Sequence, residues 1–234
     1  MSWGLADAGG RFGMTRIPFN SSYLDGPPRL VPGFHSLHRM LSMLIAERTP
    51  PDGRVLVLGA GGGLELKAFA EAHPGWRFDG VDPSGDMLRL AEWTVGPLGA
   101  RMQLHEGYID SAPVGPFDAA ASLMTFHFIA RDQRLETLRQ IRHRLKPGAP
   151  LVLAHISFPQ AEPERSTWIA RHVAWGAPDG TDPAQLESAR QAIGTRLTIL
   201  APEEEQAMLQ RAGFKDVSLF YAALSFKGWV AYAD

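Results

Sequence analysis

The residues best suited to chemistry lie early in the chain. Gly59-Ala60-Gly61-Gly62-Gly63 follows an apolar run, Arg54-Val55-Leu56-Val57-Leu58, and precedes a helical pattern. Glycines at such a turn let backbone approach a ligand closely and adopt positive φ. Asp82 ends the next apolar segment, where a carboxylate can accept two hydrogen bonds from the hydroxyls of a ribose. Dinucleotide-binding proteins share that acid, but their third glycine falls five residues after the first; here Gly63 follows Gly59 by four. A tight strand-to-helix turn without a ligand is the plainer reading. Loop, acid and context together favour a nucleoside-containing ligand.

Other side chains invite weaker readings. His127 and His155 end apolar segments, where an imidazole could serve as general base or simply pack. Arg190 sits in a helical stripe with Leu186, Ile193 and Leu197, behind an N-cap Asp182, Pro183 and Gln185. An arginine there either faces inward, suited to bidentate capture of a carboxylate, or makes a surface ion pair. Trp168 and Trp175 could stack a substrate or fill a core. Arg11, Arg16, Tyr23 and Arg29 could cover the site or lie in a solvated loop. The histidines show no metal-ligand spacing, so no metal is expected.

These residues need elements to hold them. Helix is expected over 35–47, with Leu37, Met40, Leu41 and Leu44 at helical spacing. Strands are expected at 54–58, 76–82, 101–107, 117–124 and from 151. Helices are expected from the glycine loop to His73, at 85–95 and at 132–145, where Lys146-Pro147-Gly148 stops the last. This alternation implies a doubly wound α/β sheet. Residues 158–200 lack a strand signal and read as a helical lid; 202–212 is a helix; 216–224 and 228–233 form an antiparallel pair. The organisation is an N-terminal arm and helix (1–50, irregular to residue 30), a ligand-binding core (51–157), a lid (158–200) and a C-terminal helix with strand pair (201–234).

Composition limits the rest. The chain has 234 residues, 45% hydrophobic and 21% charged, as in a folded globular domain. A net charge of −2 offers no basic excess for nucleic acid. Absence of cysteine excludes disulfides, thiolate zinc sites and a cysteine nucleophile, and fits a cytoplasmic enzyme. No apolar run reaches membrane-spanning length, and Met1-Ser2-Trp3-Gly4 carries no signal-peptide pattern.

Val55 to Gly63 resembles the first motif of class I S-adenosylmethionine (SAM)-dependent methyltransferases, and Asp82-Pro83-Ser84 with Met87 resembles the second. Leu145-Lys146-Pro147-Gly148 and Ala212-Gly213-Phe214 are similar to further motifs. The resemblance implies a Rossmann-like sheet, mostly parallel with an antiparallel C-terminal strand. It places Gly59, Ala60, Gly61 and Gly63 against the methionine part of SAM, Asp82 and Pro83 at ribose, and Met87 and Ile109 around adenine. The family often has Asp at Val57, and an acid at Tyr108 that contacts adenine; backbone groups of Tyr108 and Ile109 could take over that contact.

A narrower group covers more of the chain. Val31-Pro32-Gly33-Phe34, Ala46-Glu47-Arg48 and Arg211-Ala212-Gly213-Phe214 resemble carboxy-SAM synthases, which make carboxy-SAM from SAM and prephenate for tRNA wobble-uridine modification. By that resemblance Arg190 would bind the product's carboxylate, and a homodimer is expected. Phe34 stands where the group has a cofactor-facing tyrosine, and Leu123 where it has an asparagine. The sequence reading is therefore a SAM-dependent methyltransferase acting on a small molecule, an anionic one if Arg190 faces the site. The alternatives are a carboxy-SAM synthase-like enzyme, a non-catalytic SAM-binding regulatory module and, more distantly, a nicotinamide-dependent reductase. SAM, S-adenosylhomocysteine or carboxy-SAM is the expected ligand, without a nucleic-acid or membrane partner.

Overall fold

The computed structural model describes residues 22–234. The elements are α1 (Ser22–Leu30), α2 (Phe34–Ala46), β1 (Arg54–Leu58), α3 (Leu64–Ala72), β2 (Arg77–Asp82), α4 (Gly85–Val95), β3 (Met102–Glu106), β4 (Ala119–Leu123), α5 (Arg131–Arg144), β5 (Pro150–Ile156), α6 (Glu164–Gly176), α7 (Pro183–Arg196), α8 (Pro202–Arg211), β6 (Phe214–Ala223) and β7 (Phe226–Ala233).

Strand periodicity explains the two core layers. Side chains alternate between faces, so Val55 and Val57 of β1 enter one layer while Leu56 and Leu58 enter the other. The first layer takes Leu37, Leu41 and Ile45 from α2 and Leu66 and Phe69 from α3. Opposite, α5 supplies Leu138 and Ile141, and α8 supplies Met208 and Leu209. The sheet order is β3-β2-β1-β4-β5-β7-β6, with β7 antiparallel to both β5 and β6 and the other neighbours parallel. The order reverses between β1 and β4. In open α/β sheets a crevice forms at that switch point, beyond the strand C-termini.

The irregular arm expected up to residue 30 is corrected: α1 is helical despite Pro27 and Pro28 inside it. Tertiary contacts hold it. The Trp175 indole N–H of α6 donates to the Leu30 carbonyl at 2.9 Å. Arg11 and Arg16 lie outside the described residues. In the lid, Trp168 stacks on Phe158, whereas Trp175 is exposed. No helix among the described residues is long and apolar enough to cross a membrane.

Candidate functional site

The crevice is a cleft of about 310 Å³ between the glycine loop and α1–α2. Phe34, Gly59, Gly61, Asp82, Pro83, Met87 and Leu123 line it. It adjoins a wider cavity of about 880 Å³, which shares Gly59 and Pro83 and adds Tyr108 and Ile109. Ala60 and Gly63 line neither cavity. Ala60 is core. Gly63 caps α3 at φ 71°, and a Cβ there would meet the Ala91 backbone at 2.8 Å, so this glycine allows α3 and α4 to pack closely.

Within the loop, every backbone N–H is already used by the protein. Gly59 and Ala60 donate to the Val81 carbonyl, Gly61 to Asp82 Oδ2, Gly62 to the Met87 carbonyl and Gly63 to the Ala60 carbonyl. A pyrophosphate needs such donors left free, so the loop does not suit a dinucleotide. Asp82 is oriented by two N–H groups, Gly61 to Oδ2 at 3.0 Å and Ser84 to Oδ1 at 2.9 Å. Each oxygen keeps acceptor capacity toward the cleft. Burial raises its carboxyl above the usual range, against the lowering effect of those two bonds. A paired acceptor at the strand end, a loop without spare donors and an apolar wall of Phe34, Leu123 and Met87 fit SAM.

Neither residue assigned to catalysis by sequence lines these cavities. His127 is not at a strand end: β4 stops at Leu123, Met124 turns at φ 52°, and His127 falls on a short 3₁₀ turn. There it is 4% exposed, and its Nδ1 accepts from the Ile156 N–H at 3.4 Å. Burial, then the charges of His155, Arg134 and His172, lowers it well below the ordinary imidazole range, which suits a neutral structural role. Arg190 stands only partly inward: its side chain is 40% exposed and pairs with Glu187 one turn away at 3.3 Å, while its Nε is buried without a partner. Of its stripe, Ile193 and Leu197 pack against the core; α7 otherwise rides on α6 and buries no residue fully. His155 is also structural: its Nε2 contacts Glu205 at 2.9 Å, and Glu205 pairs with Arg134, which is 0% exposed.

Sequence reasoning missed two titratable residues of the cleft, His38 and Glu65, whereas Tyr23, read from sequence as able to cover the site, does line it. Tyr23 lies over the glycine loop, where a Cβ on Gly62 would come within 2.6 Å of its ring. His38 and the Phe34 carbonyl are 2.9 Å apart, so Nδ1 carries the proton and Nε2, buried without a partner, is an acceptor. Burial lowers its pKa, against the raising effect of that bond. The signal was its position in the inward stripe of α2, with Phe34, Leu37, Leu41 and Ile45. Glu65 is an acid just after the last glycine of the loop, easily read as a solvated first-turn charge.

The fold and site define a class I SAM-dependent methyltransferase fold, and comparison with known proteins agrees. Residues 56–151 match the methyltransferase domain family. Human N-acetylserotonin methyltransferase, solved with SAM, superposes with a TM-score of 0.57 at 18% identity over 94% of this chain. An O-methyltransferase family protein of Burkholderia thailandensis gives 0.62 at 15% identity over 85%. The chain spans 60% and 55% of those longer proteins. The protein is a SAM-dependent transferase. Carboxy-S-adenosyl-L-methionine synthases of Pseudomonas fluorescens (strain Pf0-1) and Pseudomonas aeruginosa (strain UCBPP-PA14) are 30% and 28% identical over 87% of this chain and 85% and 86% of their own. The chain belongs to the carboxy-SAM synthase family, as a divergent member.

Proposed function

We propose that this chain transfers the methyl group of SAM to a small, uncharged or weakly polar acceptor. The observation that carries the reading is the lining of the cleft: two carboxylates, one neutral imidazole, apolar side chains and, among the described residues, no Lys or Arg. Such a wall suits the sulfonium and ammonium of the donor and disfavours a further carboxylate, on the transferred group or on the acceptor. Bound there, SAM supplies a methyl group already activated by its sulfonium. The chain's part is alignment and exclusion of water. Asp82 would hold ribose, Pro83, Met87 and Ile109 would flank adenine with the backbone of Tyr108, and Gly59 and Gly61 would let the methionine part lie close. Phe34, Leu123, Met124 and Phe128 would form the dry wall facing the acceptor. His38, whose Nε2 is free to accept, would take the acceptor's proton.

Family membership favours a second reading, carboxy-SAM synthesis with Arg190 as the carboxylate ligand. One experiment separates them. Freshly purified protein is denatured and the released small molecule identified by mass spectrometry, and the enzyme is then incubated with SAM with and without prephenate. SAM or S-adenosylhomocysteine, and no product dependent on prephenate, supports methyl transfer. Carboxy-SAM, released or formed, overturns it. Intact SAM binding without turnover across broad acceptor panels would favour the regulatory module.

A further inference from the structure

Glu65 is a carboxylate that the fold alone does not account for. It is the second residue of α3, a position where an acid usually stabilises exposed N–H groups and the helix dipole from the solvent side. Here it is only 6% exposed and lines the cleft. Its neighbours make the charge costly. Asp82 is close enough to push it further from ionisation, and the same two acids act on the Tyr23 hydroxyl. Among the described residues no side chain donates to Glu65, and no Lys or Arg lines the cleft with it. A buried carboxylate beside another, without a cation, is an unfavourable arrangement that persists where a ligand completes it.

The glycine loop narrows what that ligand group is. Its N–H groups are consumed internally, so it offers no donor to an anion at the turn from which α3 begins. The amino-acid end of SAM carries both a carboxylate and an ammonium, and only the ammonium matches an acid whose protein partner is its own backbone N–H and no cation. We propose that Glu65 receives that ammonium and so anchors the amino-acid end of the cofactor. Val57, where the wider family often has Asp, is fully buried in the apolar layer and leaves this role open. The inference rests on the SAM reading of the same cleft.

The pairing has a protonic signature. Burial pushes the Glu65 carboxyl up to about 8 in the free protein. Capture of a cation lowers it again, so binding at neutral pH releases a proton and tightens as pH rises toward 8. The other titratable groups facing it do not mimic this. Tyr23 of α1 is pushed up to about 12, first by burial. Burial raises the Asp82 carboxyl against the lowering effect of its two backbone bonds, and it faces ribose with every probe alike. His38 of α2 is held neutral by burial. The adjoining part of α4 presents Met87 and Ala91, which do not titrate.

The test is isothermal calorimetry on the full chain and on Glu65→Gln, with three probes. S-adenosylhomocysteine carries the ammonium without a sulfonium, SAM carries both, and 5′-methylthioadenosine carries neither. Glu65→Gln is expected to weaken S-adenosylhomocysteine by roughly 10- to 100-fold and to leave 5′-methylthioadenosine within about twofold. Equal loss on all three probes assigns Glu65 to the fold and overturns the proposal. A loss confined to SAM makes it a sulfonium partner and also overturns it, as does no loss at all. If Glu65→Gln does not fold, the wild-type protein still decides. Titration at pH 7 in two buffers of different ionisation enthalpy should show release of most of a proton with S-adenosylhomocysteine and none with 5′-methylthioadenosine; the same release with both overturns the proposal. Wild-type protein that binds none of the probes removes the SAM reading and this inference with it.

Discussion

The Gly61 N–H donates to Asp82 Oδ2 at 3.0 Å, so the loop after β1 and the acid after β2 are parts of one hydrogen-bonded unit. A Cβ on Gly61 would sit 2.7 Å from that same oxygen and 2.8 Å from Met87 Cβ. The glycine is therefore required by the acid beside it as much as by any ligand.

Replacing either glycine on this unit should separate binding from folding. Gly61→Ala pushes on Asp82, so S-adenosylhomocysteine affinity should fall at least tenfold while the circular dichroism spectrum persists. Gly63→Ala forces an alanine to φ 71° against the Ala91 backbone and should cost stability, by about 1–3 kcal/mol. Thermal melts and calorimetry on both variants check the contrast.

Asp82→Asn removes the charged acceptor proposed for ribose. Affinity for adenosyl ligands should drop roughly 10- to 100-fold, with the melting temperature lowered as well, because the Asn amide can accept from only one of the Gly61 and Ser84 N–H groups. Undiminished binding would remove the ribose assignment.

Glu65 makes an opposite statement about stability. Its folded pKa of about 8 lies above its ordinary value of 4.5. Between those values the folded chain binds more protons than the unfolded one, so stability falls as pH rises through that window. Ligand-free Glu65→Gln should therefore melt higher than wild type at pH 8.5, and no higher at pH 4. A melting curve at each pH tests it.

The buried network of Arg134, Glu205 and His155 should behave in the reverse sense. Burial alone would raise Glu205, but His155 and Arg134 hold it below the usual carboxylate range. A depressed acid gives stability that is present above its unfolded pKa and is lost as pH falls through its folded one. Glu205→Gln leaves the Arg134 charge buried without its partner and should cost about 3–5 kcal/mol. Affinity for S-adenosylhomocysteine, measured where the variant is folded, should stay within a few-fold.

Arg190→Ala should change melting and cofactor affinity little, since an exposed pair one helical turn apart contributes about 0–1 kcal/mol. Loss of a prephenate-dependent product in this variant would restore the carboxylate role.

Much of the fold was legible because buried parallel strands write themselves as continuous apolar runs. Val55 to Leu58, the glycines after them and Asp82 lie in fixed sequence relation to the sheet, so their positions could be read directly. Other residues depended on features that no spacing encodes. His127 was read as a strand end facing the crevice, but the left-handed turn at Met124 carries it beneath to the Ile156 N–H. Arg190 shares a stripe with Ile193, yet α7 packs mainly on α6, and a helix so loosely covered does not force every member of its stripe inward. Gly26, Pro27 and Pro28 read as a loop, whereas contacts from Tyr23 and Trp175 hold them in α1. His38 and Glu65 were hidden because each looks ordinary on its own helix; only the approach of α2 and α3 to the same crevice gives them a shared role.

The full internal use of the glycine-loop N–H groups has a consequence for selectivity. Many abundant adenosine compounds carry phosphates. At this cleft such a compound would find the ribose acid, then no glycine-loop donor and no Lys or Arg of the described lining for its phosphates, with the Asp82 carboxylate opposing them. The site thus chooses among nucleosides largely by whom it repels. Competitors such as ATP should be excluded by charge, without any steric gate.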